Sequence, residues 1–441
     1  VKYAIRLLCV EAEGFEAHVM NEDLRRVLRT PEMLFVGINA VVGGGIFLLP
    51  GQAAAQAGAA SVWAYLAAGI VVGLIGLCFA ELSTMFDRTG GPILYARAAL
   101  GRTAGFTVGW AVWLTYLVGL AALSDGFVSY LGSLWPAAKD GEVWIVPALI
   151  FVLCLLNTVG VRMGARVVQL FTIAKLVPLA VLVFAGLTFA GAVGNADLSL
   201  VPGGRGSFLG AVLIIVFAYG GFEGTAIPAG EMVNPRRAVV VAVLGTLAAV
   251  TTFYMLVQYA ALRIEPNLAS AGSPLASAGE AAFSGGLALL TVGALVSIFG
   301  TQSGVVLLAP RTLYSLAREG MLPEVLGRVH PRFKTPVVSI WVTGVLVAVL
   351  AVSGSVSSLI LLNVAARLYQ YLMVCISAGV LRLREPEAPR AFRLPFGPAI
   401  PAVAGMLCLF LLSRQPAVNL LATAGALAAG LLLYAAGSRR V

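Results

Sequence analysis

The chain has 441 residues, of which 60% are hydrophobic and only 11% charged, against roughly a quarter charged in a soluble domain. With a mean hydropathy of +0.95, it has too little charge to cover the surface of a soluble enzyme and reads as a multi-span membrane protein. The formal charge of +9 is then first a topology signal, because basic residues mark the cytoplasmic loops of polytopic proteins, and a nucleic-acid partner is not expected.

Residues 1–33 form a mixed-charge segment with Arg25, Arg26 and Arg29 close to the first apolar stretch. The run Ala4 to Val10 is too short for a cleavable leader and acids follow it, so none is expected. Twelve apolar segments come next, at roughly 34–56, 62–86, 104–133, 143–160, 167–191, 208–232, 238–262, 284–313, 337–353, 357–381, 399–414 and 417–436. With the N-terminus inside, 23 of the 29 Lys and Arg fall in inner segments and 4 in outer loops, while Lys175 and Arg367 lie within spans. That bias predicts that both termini are cytoplasmic, in a plasma-membrane protein surrounded by lipid.

The five cysteines (Cys9, Cys78, Cys154, Cys375, Cys408) lack CxxC spacing and read as packing residues. His18 and His330 are the only histidines, so no metal site and no cofactor is expected.

Span 1 contains Gly43-Gly44-Gly45-Ile46-Phe47, and each mid-helix glycine costs roughly 1 kcal/mol relative to alanine. Such a cost suits an unwound turn, tolerated at membrane depth only where protein or a cavity satisfies the backbone. Five spans later, Phe217-Ala218-Tyr219-Gly220-Gly221-Phe222-Glu223 interrupts span 6 in the same way. An odd number of spans per unit makes the second unit inverted, and paired broken helices in inverted halves point to a midplane binding site. Close helix packing is the alternative use of such glycines. The expected organisation is a first five-helix repeat at 34–191, a second at 208–381, and two further helices within 399–436.

An ordered series of motifs resembles the amino acid–polyamine–organocation (APC) transporter superfamily. It comprises the Gly43–Gly45 break, Ala80-Glu81-Leu82-Ser83, Arg88-Thr89-Gly90-Gly91-Pro92, Lys175-Leu176-Val177-Pro178-Leu179, Gly221-Phe222-Glu223, Asn234-Pro235 and Thr335-Pro336. Asp87-Arg88-Thr89-Gly90 is also similar to a major-facilitator loop, but Gly91-Pro92 stands where that loop wants basic residues. The resemblance implies an all-α, leucine-transporter-like fold of 12 transmembrane helices, a 5+5 inverted repeat and broken helices 1 and 6. It implies secondary transport of an amino acid and no enzymatic activity. Neither a Walker motif nor a Ser-His-Asp set supports a pump or an intramembrane enzyme.

The two breaks suit a zwitterion. Free N–H groups around Gly43, Gly44 and Gly45 would face a carboxylate with the positive end of a helix dipole. Free carbonyls near Ile38 to Val41, and at Phe217, Ala218 and Tyr219 with Gly220 beside them, would accept from an ammonium. Phe217 falls where the family carries an aromatic lid; lipid-facing packing is its alternative.

Lys175 lies about nine residues into span 5, roughly 13 Å along the helix, which strains snorkelling. In proton-coupled members of the resembled family a lysine in this Lys-Leu-x-Pro-Leu setting fills a cation site, so Lys175 is expected to carry a coupled proton; a fixed structural charge is the other reading. Arg367, in span 10, hardly deprotonates and needs a partner, for which Asp125 and Glu223 are the acids well inside the spans. A gate or a contact to an acidic substrate side chain is favoured for Arg367; for Glu223, helix capping stands beside gating. Glu81 is expected to pair with a loop arginine. Relatives linked by disulfide to a heavy chain use a cysteine in the loop between spans 3 and 4; the stretch 134–142 has none, so no such subunit is indicated. A transporter-fold sensor and an exchanger without proton coupling remain alternatives.

Overall fold

The computed structural model describes residues 30–86, 91–159, 165–188, 206–223, 235–390 and 392–438. The N-terminal segment through Arg29, the loop residues Arg88, Arg162 and Arg205, the inner part of span 6 with Glu231 and Asn234, and Arg439 with Arg440 lie outside the described residues.

Among the described residues the chain is helical, without a strand. In order it runs α1 (Thr30–Val41), α2 (Gly45–Ala57), α3 (Ser61–Ser83), α4 (Gly91–Leu100), α5 (Arg102–Leu134) and the short α6 (Ala137–Asp140). Then come α7 (Glu142–Val159), α8 (Ala165–Thr188), α9 (Phe208–Ile215), α10 (Pro235–Ile264), α11 (Pro274–Ala282) and α12 (Gly286–Arg318). The chain closes with α13 (Val337–Ser353), α14 (Val356–Arg384), α15 (Ala399–Ser413) and α16 (Ala417–Ser438). Each of the twelve apolar segments carries helix. By length and composition, seven described stretches are long and apolar enough to cross a membrane and four more are shorter apolar helices.

Local chemistry sets several of the ends. Ser355 caps α14 through a reciprocal box with Ser358, and the Ser207 hydroxyl accepts from the Gly210 N–H at 2.9 Å to start α9. Gly101, at φ 93°, makes the turn from α4 into α5. The longest helix contacts run between α5 and α12 and between α5 and α14, with α10 lying against α1 and α3. These elements surround the break at the end of α1.

The outer surface is apolar. Trp144 and Phe151 on α7, Val345 and Val349 on α13, Met406 on α15, and Val418, Leu421 and Leu432 on α16 are all exposed. A surface so rich in large apolar side chains suits lipid and not water.

One buried carboxylate inside this shell is fully paired. The carboxylate of Glu81, buried at the end of α3, accepts from Arg382 Nε and Nη2 at 2.7 Å each, lies 3.1 Å from Arg390, and accepts from the Leu394 N–H at 2.9 Å. One carboxylate therefore ties α3, α14 and the segment before α15 together, and supplies the arginine pairing expected for it.

A candidate substrate site at two helix breaks

The triple glycine ends one helix and starts another. α1 stops at Val41, and helical bonding resumes when the Phe47 and Leu48 N–H groups donate to the Gly44 carbonyl at 3.1 and 3.3 Å. The N–H groups of Gly45 and Ile46 therefore head α2 ahead of its first intrahelical bond. In span 6, α9 tightens into a 3-10 turn over Val216–Tyr219 and ends at Gly220, whose ψ of 141° is extended. Gly221 follows at φ 111°, a conformation that suits glycine, and a Cβ there would also strike the Ala40 carbonyl.

The breaks pack against each other. A Cβ on Gly45 would stand 3.1 Å from Ala218 Cα and 3.3 Å from the Phe217 ring. Beside them opens a cavity of about 340 Å³. It is lined by Val41, Gly43, Gly44, Gly45, Phe217, Ala218 and Gly220 from the two breaks, by Thr115 and Tyr116 of α5, by Lys175 of α8, by Ser297 and Thr301 of α12, by Glu223, and by Asn363 and Arg367 of α14. Ile38, Tyr219 and Asp125 are not on this lining.

The reasons are specific. Ile38 packs against the core and its carbonyl accepts the helical bond from the Val42 N–H at 2.8 Å. Tyr219 points away, its hydroxyl donating to the Tyr65 carbonyl at 2.8 Å and lying 3.0 Å from Thr251 Oγ1. Asp125 lies near Val356 and Glu142, so it is not the partner of Arg367.

The carbonyls expected to be free are mostly engaged. Asn39 O accepts from Lys175 Nζ at 2.7 Å. Tyr254 donates its hydroxyl toward both Val41 O at 3.0 Å and Ala218 O at 3.3 Å, and Phe217 O accepts from the Gly220 N–H at 3.2 Å. This corrects the expectation of an open carbonyl rim: side-chain donors hold Asn39 O, Val41 O and Ala218 O, and backbone N–H groups hold Ile38 O and Phe217 O.

Arg367 pairs with Glu223, Nη1 to Oε1 at 3.2 Å, both side chains being about nine-tenths buried. The other carboxylate oxygen accepts from the Gly221 N–H at 3.0 Å and from the Tyr371 hydroxyl at 3.3 Å. Glu223 thus both caps the broken backbone and neutralises the arginine. Arg367 Nε donates to Asn363 Oδ1 at 3.4 Å, and Asn363 Nδ2 donates to the Thr115 carbonyl at 2.5 Å. Lys175 has no carboxylate partner among the described residues.

Comparison with known proteins gives the family. The family model for amino acid permeases matches residues 28–434. The chain belongs to the amino acid permease family, within the APC superfamily. The permease is 28% identical to a methylthioribose transporter of Bacillus subtilis, over 97% of its own length and 96% of the relative's. It is 27% identical to a branched-chain amino acid permease of the same organism, covering 95% and 94%, and 29% identical to a serine/threonine exchanger, covering 88% and 90%. These relatives are transporters, and the permease is a multi-pass membrane transporter and not an enzyme.

Proposed function

We propose that the permease carries an α-amino acid across the plasma membrane by alternating access, with both termini cytoplasmic, twelve spans arranged as two inverted five-helix repeats plus two helices, and a proton coupled through Lys175. The observation that carries this reading is the meeting of two broken helices at one cavity, with Lys175 bonded across it to the backbone of the first break. The head of α2 offers N–H groups and a positive dipole end to a carboxylate. On the same wall, Phe217 fits the role of lid and the ion pair of Arg367 with Glu223 fits that of gate.

The coupling step follows from the bond. Lys175 Nζ is tied to Asn39 O on the helix that the break makes movable. Handing its proton to water would weaken that tie, so release and reorientation of α1 become one event. Binding of substrate at the adjacent glycines favours the arrangement in which the tie is made.

Purified full-length protein in proteoliposomes tests both parts. Saturable counterflow of labelled amino acid is expected, and a pH gradient is expected to drive accumulation in the wild type but not in Lys175→Ala. Binding without counterflow would identify a sensor. Counterflow with no response to pH in the wild type would identify an exchanger and remove Lys175 from the mechanism, as would gradient-driven accumulation that survives Lys175→Ala.

A further inference from the structure

Arg367 is only partly used by its own network. Nε donates to Asn363 Oδ1, and Nη1 faces Glu223 Oε1 and, at 3.5 Å, the Tyr371 hydroxyl. Those bonds leave both N–H groups of Nη2 without a partner among the described residues. Glu223 is spent in comparison, with Oε1 on Arg367 and Oε2 shared by the Gly221 N–H and Tyr371. Both residues line the cavity, where the only other charged side chain among the described residues is Lys175. A guanidinium fork with open donors therefore faces the ligand space, and the one carboxylate on the lining among the described residues is already engaged by Arg367, Tyr371 and the Gly221 N–H.

Its position is built in. A Cβ on Gly220 would fall within the Arg367 guanidinium, so the glycine that opens span 6 is also what lets the arginine lie against the backbone of the break. Asn363, one turn before Arg367 on α14, holds Nε while anchored to α5. The fork is thus oriented before any ligand arrives, and an arginine's planar donors match a carboxylate better than any other acceptor.

We propose that Arg367 is the side-chain selectivity residue of this cavity, favouring an α-amino acid whose side chain ends in an oxygen acceptor, a carboxylate first, and rejecting cationic side chains. This rests on the amino-acid transport reading above. A site whose buried donors await an acceptor discriminates against analogues that lack one, and the lining carries two basic side chains, Arg367 and Lys175, against one acid, Glu223, which adds repulsion against lysine and arginine.

Thermal shift and counterflow competition on the full-length protein, with L-glutamate, L-aspartate, L-alanine, L-leucine and L-lysine, test the idea. The acidic pair is expected to bind at least about tenfold more tightly than leucine, with no shift from lysine. Lysine binding as well as glutamate, or leucine binding best, would overturn the proposal while leaving amino-acid transport intact. Failure of all five to bind or compete would overturn the transport reading itself.

Two variants then separate selectivity from folding. Arg367→Gln is expected to bring the glutamate-to-alanine affinity ratio down about tenfold. That change strands Glu223, and Glu223→Gln strands the guanidinium, so the two carry a similar folding cost and differ in the sign expected of the ratio: Glu223→Gln keeps the fork and removes its counter-charge, so the same ratio is expected to rise several-fold. A ratio that stays put or falls in Glu223→Gln refutes the assignment.

Discussion

Lys175 and Arg367 are the two basic side chains on the cavity, one on α8 and one on α14, and they are held in opposite ways. Among the described residues, the lysine makes a single bond, to a neutral backbone carbonyl on α1. The arginine sits among a carboxylate, a phenol and a carboxamide, each bonded to something else in turn. A cation with one neutral partner can let go without leaving a buried opposite charge behind. A cation in an ion pair cannot, because removing either member leaves the other uncompensated in a low-dielectric interior. The first arrangement suits a charge that is gained and lost, and the second a charge that persists whether or not the pair moves as a unit.

The sharpest way to break this contrast is to compare Glu223→Ala with Lys175→Met. The first strands a buried guanidinium and is expected to destabilise the protein by about 3–5 kcal/mol. The second loses one bond but also removes a buried charge, so its melting temperature in detergent is expected to stay close to wild type, or to rise. Equal losses in the two melts would mean that Lys175 is held by a partner as strongly as Arg367 is.

A smaller effect is expected at Tyr254. Its hydroxyl serves Val41 O and Ala218 O, one carbonyl from each break, just as Lys175 serves Asn39 O. Tyr254→Phe leaves both oxygens short of a donor in a fully buried place, for about 2 kcal/mol of destabilisation. If Lys175 alone controls the break, this variant keeps its response to a pH gradient. If the response weakens in parallel with stability, the break is held by its carbonyl donors jointly.

What was legible in the sequence was whatever carries a local penalty. Three glycines at mid-span and two more in span 6 are costly in a helix, and the breaks lie at those positions. A basic residue at membrane depth is equally conspicuous, and both Lys175 and Arg367 reach the cavity. The i±4 spacing of Asn363 and Tyr371 about Arg367 is a signal in the sequence that could have pointed to its network. Pairings between distant elements left no such mark. Asp125 and Glu223 were equivalent as partners until the break of span 6 fixed where Glu223 lies. Tyr254 drew no notice in its apolar span, although a phenol buried among apolar residues must find an acceptor. The carbonyl rim was misjudged for the same reason, since its donors come from α8 and α10.

The smallest effects belong to two glycines on the one cavity. Gly220 lies against Arg367, and a methyl there would enter the guanidinium, whereas a Cβ on Gly304 of α12 meets nothing within 4 Å. Gly220→Ala is expected to cost about 1–2 kcal/mol through overpacking, with lower affinity for whatever contacts Arg367. Gly304→Ala, inside a helix with open space beside it, is expected to stabilise by about 0.5 kcal/mol. The comparison isolates the fixed cation: both variants add one methyl to the lining, and only one of them moves the arginine. Matching losses of affinity in the two would mean that cavity volume alone, and not the seat of Arg367, governs binding.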